Sequence, residues 1–350
     1  MKKKNLFIGL ALSLAVTGCG KETLENTNNN VKEEVKQEEN EEVKEAKTEK
    51  KDESKVIYAS FYPIYNLIKQ IAGDKFDVKA FNSLTTESHD FEPSAKEIAE
   101  LSKSQLIFIN GAGMEDWKDD VEETVDITMV DTSESLDLIK ADHDHEDAED
   151  HDHEDAEDHD HDHDHDHEEG EHHHHHGEFD PHTWLSPVNA KAQAKVIADK
   201  LSEIDSANKD YYQKNYEEIA KEFDEIINEY KEKFAKVENN KFIVPHEAFG
   251  YVARDFGLEQ IPLASLTSTA DPDAKVMKEV TDFAKKDAIK TVFFEKGGSD
   301  KAAKTIAEEI GADTLPLSTM EFASEEEIEK EVTIQEIIKE NLENIYKSLA

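Results

Sequence analysis

The stretch FDPHTWLSP, residues 179–187, joins a tract of histidines and acids to the longest segment of the chain without glycine or proline. His182 lies at its centre. Ser186 and Pro187 at its end are typical of a helix start, with serine as the cap and proline at the first helical position. No glycine or proline follows between positions 188 and 244. The stretch therefore marks the point where a low-complexity tract gives way to regular helix.

The segment that follows has the periodicity of one long amphipathic helix. Its apolar residues recur at steps of three and four, which places them on one helix face. A helix over residues 207–236 would be about 45 Å long at about 1.5 Å per residue, enough to cross two lobes. We interpret it as a rigid connection between lobes, and a coiled-coil partner helix is the alternative. The apolar set is Tyr212, Tyr216, Ile219, Phe223, Ile226, Tyr230, Phe234 and Val237.

Short strand-like runs alternate with helical patterns on both sides of this segment. This alternation predicts an α/β fold with two lobes, each a mostly parallel sheet covered by helices. Ligands of such sheets bind in loops beyond the carboxyl ends of the strands. The predicted strands are 56–60, 76–81, 106–110, 127–130, 241–244, 260–264, 291–294 and 314–317. The predicted shorter helices are 63–72, 94–102, 115–123, 248–256, 272–286, 300–310 and 334–349.

The beginning of the chain has the pattern of an exported lipoprotein. Three lysines precede an apolar run that is shorter than the roughly 20 residues of a membrane-spanning helix, so residues 1–18 are predicted to be a signal peptide. Cys19, the only cysteine in the sequence, follows Val-Thr-Gly, which resembles the bacterial lipobox; this predicts acylation of Cys19. Residues 19–54 are rich in Glu and Lys and are predicted to be a disordered tether. The protein is expected at the outer face of a bacterial cell membrane.

The formal net charge of −43 excludes several partners. Nucleic acids and anionic lipid surfaces attract basic proteins, so neither is expected to bind directly. Cations are the natural ligands of this chain.

Most histidines lie in a repetitive acidic tract. Between positions 142 and 176 there are fourteen histidines and eighteen Asp or Glu residues, and no Lys or Arg. We predict a disordered loop over 141–178 that binds zinc, copper or nickel weakly and at several places, because neutral imidazole suits these metals. Its histidines are His143, His145, His151, His153, His159, His161, His163, His165, His167, His172, His173, His174, His175 and His176.

Three histidines stand alone, and each lies in a loop at the edge of a predicted sheet. His89 follows a strand, His182 precedes the long helical segment, and His246 comes directly after FIVP. Glu295 comes directly after TVFF, again at the carboxyl end of a strand. Considered alone, a loop histidine such as His89 is more often a surface residue than a ligand, and Glu295 is more often an ion-pairing or solvated acid.

Six sequence motifs, given in chain order at the end of this paragraph, resemble those of the zinc and manganese substrate-binding lipoproteins of ABC transporters. The resemblance spans residues 56–350 and includes a histidine-rich acidic insertion before the DPH motif, which is typical of zinc-binding members. It implies two lobes joined by one long helix, a metal site in the cleft between them, and a membrane permease as partner. The motifs are SHDFEP, GAGMEDW, FDPHTWLSP, VPHEAFGYVARDFGL, SLTSTADPDAK and FFEKGGSDKAAKTIAEEIGA.

Carried over residue by residue, the resemblance implies that His89, His182 and His246 are metal ligands and that Glu295 is the fourth. Glu87 and Glu247 flank two of these histidines and compete for the carboxylate role. Three imidazoles and one carboxylate suit four-coordinate Zn²⁺, whereas Mn²⁺ favours more oxygen ligands and is the second choice. The protein is predicted to be a monomer that captures zinc for uptake and catalyses no reaction.

Two other functions remain open at this point. A zinc hydrolase could use three histidines and a metal-bound water with Glu247 as base, but the sequence has no HExxH motif. An extracellular zinc buffer could act through the histidine-rich loop alone.

The predicted organisation is a first lobe over 55–205, a linking helix over 206–238 and a second lobe over 239–350.

Overall fold

The computed structural model describes residues 55–104, 106–141, 177–266 and 272–350. Two four-stranded sheets, all of whose strands are parallel, form its framework. The strand orders are β2-β1-β3-β4 and β6-β5-β7-β8, so both sheets have the same topology. This confirms the predicted α/β class with two sheets. Within the described part of the chain, no helix has the length and apolar character needed to cross a membrane.

The first sheet and its helices form the first lobe. Its strands are β1 (Val56–Ala59), β2 (Asp77–Ala80), β3 (Leu106–Ile109) and β4 (Thr128–Asp131). Its helices are α1 (Tyr62–Ala72), α2 (Ala95–Leu101), α3 (Lys118–Thr124) and α4 (Pro187–Ile204). The Ser186 hydroxyl accepts hydrogen bonds from the backbone N–H groups of Val188 and Asn189, as the predicted cap requires.

The second lobe repeats the arrangement. Its strands are β5 (Lys241–Val244), β6 (Glu259–Pro262), β7 (Thr291–Glu295) and β8 (Asp313–Leu317). Its helices are α6 (Gly250–Phe256), α7 (Ala274–Lys286), α8 (Lys301–Ile310), α9 (Glu325–Glu329) and α10 (Ile334–Leu349). All eight predicted strands are present, with ends shifted by one or two residues. Helix α9, whose five residues are too few to show a period, was not predicted.

The long helix α5 (Lys209–Phe234) follows α4 in the chain and leads into β5. It is a few residues shorter than predicted, about 39 Å at 1.5 Å per residue. Asp205 separates it from α4 and accepts hydrogen bonds from Asn208 and Tyr212. The buried face is formed by Tyr212, Ile219, Phe223, Ile226, Tyr230 and Phe234, as the apolar period predicted.

Side chains of both lobes share one hydrophobic core. The buried cluster extends from Ile57 and Ile64 of the first lobe to Phe242 and Phe293 of the second. The Trp184 ring packs edge-on against Phe61 at 4.8 Å and donates its indole N–H to the carbonyl of Thr319 over 2.6 Å. A shared core of this kind resists wide separation of the lobes, because opening would expose apolar surface.

Candidate metal centre

Four side chains from distant parts of the sequence converge between the lobes. His89 lies in the loop between β2 and α2, and His182 begins a 3₁₀ turn before α4. His246 lies two residues beyond β5, and Glu321 lies four residues beyond β8. The histidine and carboxylate atoms of this group all lie within 4.8 Å of one another.

The spacing of these atoms fits one small cation. The Nε2 atoms of His89 and His182 are 3.1 Å apart. Oε1 of Glu321 lies 3.5, 3.4 and 3.3 Å from Nε2 of His89, His182 and His246. A tetrahedral zinc ion with ligands at about 2.0–2.1 Å separates neighbouring ligand atoms by about 3.3–3.4 Å. Four of the six separations in the group therefore match the edges of a zinc tetrahedron, and every pair of residues in the group has ligand atoms within 4.8 Å of one another.

The group is buried, and three of its polar atoms have no hydrogen-bond partner among the described residues. His182 is fully buried, and Glu321 is 1% exposed. Among the described residues, Nε2 of His246 and both carboxylate oxygens of Glu321 have no hydrogen-bond partner. Buried polar atoms are normally satisfied, so such a concentration of unsatisfied acceptors points to a bound cation.

Asp180 fixes the orientation of His182. Its Oδ1 accepts hydrogen bonds from the backbone N–H of His182 over 2.9 Å and from Nδ1 of the same residue over 2.8 Å. A histidine that donates from Nδ1 presents the Nε2 lone pair to a metal, and the carboxylate partner strengthens it as a ligand. Gly250 leaves room for this contact, because a Cβ there would lie 2.7 Å from Oδ2 of Asp180.

Asn110, just beyond β3, holds the backbone on both sides of His182. Its side-chain amide donates to the carbonyl of Pro181 over 2.9 Å, and its carbonyl oxygen accepts from the Thr183 hydroxyl over 2.7 Å. Asn110 is fully buried. The imidazole is thus held on a rigid loop that the first sheet positions.

Burial and hydrogen bonding act in opposite directions on the ionisation of this group. Burial alone would lower the pKa of His182, but its hydrogen bond to Asp180 and the nearby carboxylate of Glu321 raise that pKa to about 9. Burial alone would raise the pKa of Glu321, yet its contacts with the three imidazoles hold it well below its ordinary value. In the metal-free protein at neutral pH, the cationic His182 imidazolium therefore faces an anionic Glu321.

Zinc binding is expected to release the His182 proton at neutral pH, because a metal must replace it on Nε2. Below the pKa of about 9, this one group lowers zinc affinity by about tenfold per pH unit. In the metal-free protein the raised pKa contributes stability that is complete below about pH 6.5 and is lost as pH rises through about 9.

Calorimetry of zinc binding at pH 7.5, in buffers of different ionisation enthalpy, measures this proton release. Asp180→Asn is the matched variant, since it removes the charge that raises the pKa of His182. It is expected to release fewer protons than the wild type. Equal proton release by the two proteins would contradict the assignment.

The structure places Glu295 beside the four-atom group rather than within it. Oε2 of Glu295 lies 3.9 Å from Nδ1 of His246, on the ring nitrogen that faces away from the other imidazoles, and its Oε1 accepts a hydrogen bond from Thr319 over 2.6 Å. Glu321 occupies the position that the sequence analysis gave to Glu295. Of the competing acids, Glu87 forms a second group with Glu295 and Glu321, and Glu247 belongs to neither group.

Glu321 is a candidate ligand that the sequence analysis did not name. It follows β8 in the segment STMEFAS, at the same edge of the sheet as His246 and Glu295. The rule that selected those two residues, a metal-binding side chain just beyond a parallel strand, applies equally to Glu321. Glu321 lies four residues past the strand, and the sequence analysis considered only residues closer to a strand end.

The histidine-rich tract and Cys19 lie outside the described residues, but the root of the tract is described. Lys140 and Phe179 form an antiparallel bridge, and the backbone N–H of Ala141 donates to the carbonyl of Glu178 over 3.0 Å. Both ends of the tract therefore leave the fold side by side, a few residues from His182.

Comparison with known proteins agrees with this geometry. Residues 57–348 match the family described as ZnuA, zinc-uptake complex component A, periplasmic. The high-affinity zinc uptake system protein ZnuA of Bacillus subtilis (strain 168) is 36% identical over 297 residues, which cover 84% of this chain and 87% of that protein. The zinc-binding lipoprotein AdcA of Streptococcus pneumoniae is 31% identical over 295 residues, covering 82% of this chain but 54% of that protein, so the chain spans about half the length of this relative.

Among solved structures, the laminin-binding protein Lmb of Streptococcus agalactiae has a TM-score of 0.69 and 29% identity. The match covers 85% of this chain and 100% of that one, which is described as a bifunctional protein with adhesin and metal transporting activity. The family match over almost all of both lobes confirms the resemblance seen in the motifs: this chain belongs to the zinc-uptake complex component A family.

Proposed function

We propose that this protein binds one Zn²⁺ ion tightly between its lobes and delivers it to the permease of an ABC transporter for uptake. The ligands are Nε2 of His89, His182 and His246 and a carboxylate oxygen of Glu321. The observation that carries the proposal is the buried set of four atoms whose 3.1–3.5 Å separations fit a zinc tetrahedron.

The donor set favours zinc over manganese. Three imidazole nitrogens and one oxygen suit Zn²⁺, whereas Mn²⁺ prefers oxygen ligands and lies at the weak end of the affinity order for divalent metals. The names of the two curated relatives, a zinc uptake protein and a zinc-binding lipoprotein, support the same choice.

The site is built for holding an ion rather than for catalysis. A hydrolytic zinc site keeps one position open for water. Here Oε1 of Glu321 lies within 3.5 Å of all three Nε2 atoms and fills the fourth corner of the tetrahedron. Glu247, the base that a hydrolase would need, lies outside both groups of potential metal ligands in the described residues.

Export and lipid anchoring complete the proposal. The signal sequence and the lipobox-like residues before Cys19 support attachment at the outer face of the cell membrane. The relative AdcA is named a lipoprotein, which supports this location. The histidine-rich tract collects zinc near the site, since its two ends leave the fold next to the loop that carries His182.

Titration of the wild type and His246→Ala with zinc and manganese, with bound metal counted by mass spectrometry, tests the function. A zinc site of this kind is worth roughly 10–16 kcal/mol, so one of four ligands contributes roughly 2.5–4 kcal/mol, a factor of about 10²–10³ in affinity. We expect one tight zinc site in the wild type and a loss of that size in His246→Ala.

Glu247→Gln is the matched control, since it changes the neighbouring residue and should leave tight binding intact. Tight zinc binding that survives His246→Ala, or a tighter manganese site than zinc site in the wild type, would refute the proposed function.

A further inference from the structure

An open cavity of 390 Å³ lies beside His246, one of the three histidines of the metal centre. At about 30 Å³ per water molecule, it can hold roughly a dozen waters, enough for a hydrated metal ion. Its wall combines carboxylates with aromatic rings, and His246 belongs both to this wall and to the metal centre. Lining residues include Glu87, Asp90, His246, Phe293, Glu295 and Phe322.

A second group of potential metal ligands stands between this cavity and the histidines. Carboxylate oxygens of Glu87, Glu295 and Glu321 all lie within 4.8 Å of one another. Glu87 and Glu295 also line the cavity, whereas Glu321 is 1% exposed and belongs to the histidine group as well. The two groups therefore share Glu321.

The two cavity carboxylates are each fixed through one oxygen. Oε1 of Glu87 accepts the backbone N–H groups of Ser88 over 2.7 Å and His89 over 3.1 Å. Oε1 of Glu295 accepts the Thr319 hydroxyl over 2.6 Å. None of these bonds involves either Oε2 atom. Two preoriented carboxylates thus each present an oxygen that these donors leave free.

Glu321 supplies an independent sign of a ligand. Its Oε1 faces the three imidazole Nε2 atoms, and among the described residues its Oε2 has no hydrogen-bond partner either. A carboxylate this deeply buried needs compensation on both oxygens. The imidazoles already face Oε1. A cation held between Glu321 and the two cavity carboxylates would face Oε2 while the histidine site is empty.

We propose that Glu87, Glu295 and Glu321 form a staging site, at which a partly hydrated divalent cation binds on its way between the cavity and the three histidines. This inference rests on the proposed function, because the histidine site is the destination of the ion. Carboxylate oxygens replace hydration waters one at a time, and Glu321 passes the ion on because it belongs to both groups.

The staging site and the histidine site are occupied in turn. Two divalent ions sharing Glu321 would lie within about 5 Å of one another and repel strongly in this poorly solvated region. The staging site is therefore a kinetic device: it lowers the barrier for loading and for release. Removing it slows both processes and changes the equilibrium affinity little.

Stopped-flow fluorescence on the full chain can follow filling of the histidine site. The Trp184 ring lies 5.3 Å from the His182 ring. Both tryptophans of the chain, Trp117 and Trp184, lie outside the histidine-rich tract, so the signal reports on the folded lobes and not on the tract. In the double variant Glu87→Gln/Glu295→Gln we expect the zinc association rate to fall roughly tenfold or more. Release of zinc into excess chelator is expected to slow as well, and the dissociation constant to change by less than about threefold.

The double variant Glu308→Gln/Glu325→Gln is the matched control. It removes two acidic charges from exposed positions of the second lobe and should bind and release zinc at wild-type rates. Equal slowing of both double variants would show general electrostatic attraction and refute the staging site. Faster release from Glu87→Gln/Glu295→Gln would refute it too, because these carboxylates would then be stabilising the ion in its final position.

Failure of the proposed function can be told apart from failure of the staging site, because the wild type itself would then show no tight zinc site. Thermal unfolding of each metal-free variant checks the fold. Glu87→Gln is expected to unfold at or above the wild-type temperature, because it replaces one of three carboxylates that lie within 4.8 Å of one another by a neutral amide.

Discussion

Glu321→Gln is expected to weaken zinc binding by roughly 10²–10³-fold, whereas Glu295→Gln should weaken it by less than about threefold. Glu295 ends β7 and Glu321 follows the neighbouring parallel strand β8, and both carry carboxylates near His246. Only Glu321 faces the Nε2 atoms of all three histidines, at 3.3–3.5 Å. Glu295 lies 3.9 Å from Nδ1 of His246, the nitrogen that does not face the group.

Competition titration against a chromophoric zinc chelator measures both affinities at a fixed pH. The pair is its own control, because both substitutions remove one carboxylate charge from the same lobe. The reverse ranking, with Glu295→Gln the more damaging change, would restore Glu295 as the fourth ligand and remove Glu321 from the site.

Replacing residues 142–176 by a single asparagine is expected to abolish the weak zinc sites and to leave one tight site with unchanged affinity. The tight site uses His89, His182, His246 and Glu321, all of which lie in the folded lobes. The new sequence Ala141-Asn-Gly177-Glu178 should be tolerated well. Ala141 and Glu178 are already hydrogen-bonded, and Asn-Gly is the favoured two-residue turn between antiparallel strands.

Zinc counted by mass spectrometry after dialysis against a weak chelator, and again against a strong one, separates the two kinds of site. In the weak chelator the wild type should lose the zinc bound to the tract and keep one ion. The shortened chain should bind one ion before this dialysis and still hold that ion after it. Loss of the tight site on shortening would show that the tract is the principal binder, as expected of an extracellular zinc buffer.

The positions of most elements could be read from local pattern. Apolar runs of four or five residues marked the strands, and the three- and four-residue period identified the buried face of α5. The exact first and last residues of the strands and helices were predicted less accurately. Strand and helix ends depend on individual hydrogen bonds such as the cap by Ser186, and a five-residue helix such as α9 is too short to show a period.

The three histidines of the candidate site were recognisable because they stand outside the repetitive tract and at sheet edges. Their supporting residues were harder to find. Asp180 is part of the quoted DPH motif, yet its contact with Nδ1 of His182 depends on a turn that returns the carboxylate to a side chain two residues later. Asn110 supports the same loop from 71 residues away, through its bond to Pro181.

The sequence by itself determined the α/β class, the duplicated parallel sheets and the long helix, because local periodicity predicts each of them. The three imidazoles were predicted from the resemblance of their motifs to a known family. The choice of carboxylate was decided only by the tertiary structure. Met320 adopts a left-handed backbone conformation, with φ of 59°, and Ser88 of the other lobe donates to the carbonyl of Glu321 over 2.8 Å. That turn and that contact bring Glu321 to the imidazoles, and neither can be read from the residues around it, since one is unusual for methionine and the other joins positions 233 residues apart.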